Sequence, residues 1–169
     1  MMTVPMRGFT LLEIMVVMVL VGILASFAML SAGMGSRERL AEEARRLAAL
    51  VALHRQEAII GGELHAIRFS DNAYAFLTLN QHGQWQSPET ARALTQHKLP
   101  KDISLRLWVE NRPADLRIAD QPQVFLQNSG ETTEFVAIFE PRDSVDPDAA
   151  RYRVASDILG HMESGEVKP

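Results

Sequence analysis

The chain has 169 residues, of which 47% are hydrophobic and 22% charged, with a net charge of −4 and a pI of about 5.7. That length fits one domain with extensions, and the acidic balance supplies no basic stripe for nucleic acid. With no cysteine in the sequence, disulfides, cysteine-ligated zinc and thiol catalysis are all excluded.

Residues 1–8 form a short leader in which Arg7 stands directly ahead of Gly8. From Phe9 to Leu30 the sequence FTLLEIMVVMVLVGILASFAML runs for 22 residues with a single charge. As a helix rising about 1.5 Å per residue it would be roughly 33 Å long, enough for a bilayer core of about 30 Å. A membrane-spanning helix is therefore predicted over 9–30. A cleaved secretory signal has a shorter apolar region, of about 7–15 residues, and no acid near its start. The acid here is Glu13, and a carboxylate inside an apolar run costs about 2.5–3.5 kcal/mol unless it is paired. Two readings of it stand: a functional charge with a partner, or a carboxyl that reaches the headgroups from near the helix end.

Residues 31–62 read as an amphipathic continuation of the same helix. Gly33 and Gly35 make a soft spot rather than a break. Leu40, Ala44, Leu47, Val51 and Ala58 recur at three- and four-residue steps, Leu50 widens the stripe, and Arg39, Glu42, Glu43, Arg46 and Arg55 fall on other faces. Gly61-Gly62 stops the helix.

From 63 to 169 the period becomes two, which predicts a β-rich globular domain. Strands are expected over Leu64–Phe69 and Tyr74–Leu79, joined by a turn at Ser70-Asp71-Asn72. A hairpin tip at Gln81-His82-Gly83 precedes Trp85. Residues 87–100 read as a loop with a helical turn near Ala91–Leu94. Ile103, Leu105, Leu107 and Val109 alternate with Ser104, Arg106, Trp108 and Glu110, a half-buried strand. Residues 111–122 read as loop, Val124–Gln127 as a strand, Ser129-Gly130 as a turn and Thr133–Phe139 as a strand. An acidic loop follows over 140–150, then a strand over Arg151–Ala155, and the stretch from Gly160 reads as a polar, mobile tail. A long helix followed by meandering strands argues for an α+β fold with an antiparallel sheet or sandwich.

The chemistry-bearing residues are sparse. Among His54, His65, His82, His97 and His161 no pair shows metal-ligand spacing, and His54 is expected at a helix–sheet contact. No phosphate-cradling loop and no nucleophile elbow is present. Asp143, Asp146 and Asp148 share one loop without the glycine and terminal glutamate of a calcium hand, so a solvated acidic loop is expected. Trp108 lies on the face opposite Ile103, Leu105 and Leu107, where it either enters a second layer of core or marks a partner contact. No metal, cofactor or catalytic residue is predicted.

The start MMTVPMRGFTLLE, with Gly8, Phe9 and Glu13 five residues after the glycine, resembles the class 3 signal of type IV pilins and type II secretion pseudopilins. That resemblance implies cleavage after Gly8 by a membrane prepilin peptidase and N-methylation of Phe9. It also implies that the new Phe9 amine pairs with Glu13 of a neighbouring subunit in the membrane. It places the leader in the cytoplasm, although Arg37, Arg39, Arg45 and Arg46 after the helix outnumber Arg7 before it. Three further stretches, AEEARRLAALVALHRQEAIIGGE, YAFLTLNQHGQW and PQVFLQNSGETTEF, resemble the H-type minor pseudopilins (GspH family), although Thr132 and Thr133 follow the last turn where that family leads one to expect a proline. The resemblance implies a non-enzymatic inner-membrane subunit near the tip of a pseudopilus. Its globular domain would face the periplasm, its partners would be other pseudopilins, and it would assist export of folded proteins. A minor type IV pilin, serving adhesion or DNA uptake, shares the leader and helix. The C-terminal segment offers Lys168 against Glu163 and Glu166, which argues against DNA.

Overall fold

The computed structural model describes residues 11–88, 95–117, 121–144, 146 and 148–167, and the side chains of all of these but 28–34. One helix, α1, spans Leu11–Gly61 without interruption, so the glycines at 33 and 35 are carried inside it. The chain divides into two units, Met1–Ser36 and Arg37–Pro169.

In the first unit the large apolar side chains of α1 point into open space: Leu11 is 79% exposed and Phe27 66%. Among the described residues no helix is long and apolar enough to cross a membrane. The side chains described within the apolar run are Leu11–Phe27, and the expected span over 9–30 extends past them at both ends.

The second unit holds the core. Leu40, Ala44, Leu47, Leu50, Val51 and Ala58 are all buried, so the predicted stripe is the packed face of α1. Glu43 departs from the expected outward placement. It is 6% exposed, and its carboxylate meets the His97 ring rather than water. The helix ends as its glycines require. Gly62 takes φ 68° and the Glu63 N–H donates to the Ala58 carbonyl at 3.2 Å, a Schellman closure that a side chain at 62 would strain.

Among the described residues ten strands follow: β1 His65–Ser70, β2 Ala73–Leu79, β3 Trp85–Gln86, β4 Gln96–Lys98, β5 Ile103–Val109, β6 Arg112–Pro113, β7 Val124–Leu126, β8 Phe135–Pro141, β9 Tyr152–Ser156 and β10 Met162–Glu166. They form two antiparallel sheets. The first runs β3-β2-β1-β7 with β4 also on β2, and the second runs β10-β9-β8-β5-β6. Alternation places Ile67 and Phe69 of β1, Leu105 and Leu107 of β5, and Phe135, Ala137 and Phe139 of β8 in one core with the α1 stripe. This is the α+β arrangement of a long helix on antiparallel sheet that the sequence predicts.

Three strands depart from expectation. β4 lies where a loop was predicted, and the helical turn expected at 91–94 falls outside the described residues. β6 pairs Trp108 with Pro113 and Val109 with Arg112 across Glu110 and Asn111, both at positive φ (49° and 62°). That is the twist-matched two-residue hairpin, made here by Glu-Asn rather than a glycine pair. Finally, the segment from Gly160 is not a mobile tail. β10 pairs along its whole length with β9, from Met162 on Ser156 to Glu166 on Tyr152. Met162 packs against the core, Arg153 pairs with Glu163, and the Arg55 guanidinium donates to the Gly160 carbonyl at the turn.

Candidate functional site

Gly8 and Phe9 lie outside the described residues. Glu13 stands exposed in the first turn of α1, among Leu11, Leu12 and Ile14, all of them exposed. A soluble protein rarely leaves so long an apolar surface in water, so this helix is built for a lipid or protein environment.

Trp108 does not enter a second layer of core. It sits half-buried on the outer face of the second sheet, where its register neighbours are Val136 on β8 and Pro113 on β6. The Arg106 guanidinium lies 5.4 Å from its ring centroid, within cation–π reach. Arg106 also pairs with Glu140 at 3.0 Å, and Arg153 with Glu163 beyond it. The face is thus an apolar patch of Trp108, Val136 and Ile138 framed by charges of both signs. That is the composition of a contact surface, an aromatic anchor inside a polar rim.

Asp143, Asp146 and Asp148 are exposed, and their loop satisfies itself locally: the Asp148 N–H donates to the Asp146 carboxylate at 3.0 Å.

The structure also assembles groups that sequence spacing did not connect. His54 is 2% exposed, with its ring stacked on Phe76 at 4.1 Å, so the expected helix–sheet contact is real. Its Nδ1 lies 3.1 Å from Glu57 Oε2, one turn along α1. The chain then reverses at Gly61-Gly62 and brings His65, the first residue of β1, to a ring separation of 5.7 Å from His54. Ligand atoms of His54, Glu57 and His65 all lie within 4.8 Å of one another, a grouping in space of residues whose sequence spacing shows no metal-ligand pattern. The signal available in the sequence was His54 and Glu57 at i and i+3, with a histidine immediately past the helix stop.

The comparisons with known proteins agree with this architecture. A family model described as the prokaryotic N-terminal methylation motif matches residues 5–29. The type II secretion system protein H of Pseudomonas aeruginosa is 34% identical over 140 residues, covering 76% of this chain and 80% of that protein. The protein of the same description from Aeromonas hydrophila is 30% identical over 150 residues, covering 80% of this chain and 81% of that protein. Among solved structures, the minor pseudopilin EpsH from the type II secretion system of Vibrio cholerae aligns with a TM-score of 0.64 at 22% identity, over 76% of this chain and 94% of that one. The solution structure of Escherichia coli GspH aligns at 0.61 and 21% identity, over 76% and 89%. These two likenesses speak for the fold.

Proposed function

The chain belongs to the family of the type II secretion system protein H, the H-type minor pseudopilins, and from that premise we propose how its residues serve assembly. As a member it is a structural, non-catalytic subunit of the pseudopilus, associated with the inner membrane and with the other pseudopilins of its secretion system. The finer reading is a precursor cut after Gly8 by prepilin peptidase and methylated at Phe9. Residues 9–30 cross the inner membrane once, and the β-rich unit faces the periplasm. The observation that carries this reading is the exposed apolar helix Leu11–Phe27, preceded by the leader.

Glu13 is the assembly charge. In an apolar environment its ionised form needs a cation, and the Phe9 amine freed by cleavage supplies one from an adjacent subunit. A pair of this kind fixes axial register between helices more than it adds stability. The outer face around Trp108 selects neighbouring subunits, and being unlike the helix it gives the heterologous contact that a filament end requires. The subunit sits near the pseudopilus tip and assists the export of folded proteins through the outer membrane.

Deletion of the gene in its own host, scored in parallel for exoprotein secretion, twitching and DNA uptake, tests this reading. Loss of secretion alone, with cargo held in the periplasm, supports it. Loss of twitching or uptake with secretion intact transfers the protein to a type IV pilus.

A further inference from the structure

We propose that His54, Glu57 and His65 form a binding site for a divalent transition-metal ion, Zn2+ foremost, which ties the C-terminal turn of α1 to the start of β1. The donor set is two imidazoles and one carboxylate, borderline-soft nitrogen with one oxygen, which suits zinc and disfavours calcium and magnesium. His54 and Glu57 present their donors from one face of α1, and the Schellman reversal at Gly62 delivers His65 against them. The observed donor separations lie within 4.8 Å. A tetrahedral zinc with ligands at about 2.0–2.1 Å brings its donors to about 3.3 Å from one another, so the cluster closes by up to about 1.5 Å. The half-exposed Glu57 side chain has the freedom to supply that movement.

A second observation points into the same place. His65 is 4% exposed, and its Nδ1 has no hydrogen-bond partner among the described residues. A buried ring nitrogen of this kind costs free energy unless something occupies it. Glu57 and His65 both line an open groove with Gly61, Thr78, Asn80 and His82, which gives an ion a path in and leaves a position for water. The two elements that carry the ligands, α1 and β1, already meet at the 5.7 Å His54–His65 ring contact, so binding requires little ordering.

The test uses the full chain, untagged and in detergent, titrated with Co2+ and then Zn2+. The expected result is one Co2+ per chain with the visible absorption of a four-coordinate ion, displaced by Zn2+. A zinc concentration about a hundredfold above Kd should raise Tm by roughly 5–10 °C. H65Q and E57Q should each weaken binding at least about tenfold while leaving the metal-free far-UV circular dichroism unchanged. E57Q alters a half-exposed side chain, so the site remains testable should H65Q fail to fold. Absence of the cobalt band with metal in excess overturns the proposal. Binding that persists at unchanged affinity in E57Q does the same, because it places the ion elsewhere, such as on the loop of Asp143, Asp146 and Asp148.

Discussion

The Glu43 carboxylate lies 2.7 Å from Nε2 of His97, a direct polar link between α1 and β4. An ionised carboxylate only accepts, so the imidazole N–H donates. Removing the acid leaves that N–H without its acceptor beside a packed core. E43A should destabilise the chain by about 1–3 kcal/mol, and H97A by a similar amount. In urea unfolding followed by tryptophan fluorescence, both variants should shift the midpoint at unchanged slope. The double variant should cost clearly less than the sum.

Tyr74 is next to this pair and buried, with its ring 5.2 Å from His97. Burial first, then the negative charge of Glu43, push its phenol well above the ordinary 10.0, with Arg46 opposing. The sign follows directly. The unfolded phenol ionises near 10 and the folded one resists, so stability is full below pH 10 and falls as pH rises above it. Titration of phenolate absorbance should therefore show one tyrosine that ionises only as the fold is lost. A second tyrosine step without loss of circular dichroism would contradict the burial.

Gly160 holds φ 77° at the β9–β10 turn, and a Cβ there would run into the Arg55 side chain and within 3.0 Å of the Gly130 carbonyl oxygen. G160A should cost about 1–3 kcal/mol, from the strained backbone and the displaced guanidinium together. In an R55A background the same change should cost less, because only the backbone term and the carbonyl contact remain. Thermal unfolding of the four proteins measures the difference.

Replacing Glu13 by leucine should leave leader removal intact, since the scissile bond follows Gly8. Mass spectrometry of the mature N-terminus checks this. The same variant should be reduced in sheared pseudopili. Normal incorporation would count against a paired charge.

Trp108 makes a sharper demand on the outer sheet face. W108A removes a half-buried side chain outside the core, so its stability should change by no more than about 1 kcal/mol. Its recovery with the other pseudopilins of the same system should nonetheless fall several-fold. A large loss of stability would mean that the ring is structural.

Much of this architecture is written in the periodicity. Leu40, Leu47 and Val51 on the helix and Ile103, Leu105 and Leu107 on β5 each bury one face against the same core, so their spacing is dictated by the packing it serves. β4 and β10 are different. Gln96-His97-Lys98 and Met162–Glu166 carry almost no apolar alternation, because edge strands are held by their ladders and by Glu43, Arg55 and Arg153. Such pairings are long-range and leave no local pattern. The His54–Glu57–His65 cluster was hidden for a related reason. Its third member reaches the other two only through the reversal at Gly62, which sequence marks as an end and not as a meeting point.

The pairing of β10 with β9 changes what a shortened chain would be. Trimming at Gly160, as composition alone invites, would strip the outermost strand from the sheet and lay bare the backbone donors and acceptors of Tyr152–Ser156. A newly opened edge of that kind templates strand addition from another molecule. The polar sequence Glu163-Ser164-Gly165-Glu166 is thus a guard rail: it closes the sheet with side chains too charged and too small to invite a further strand.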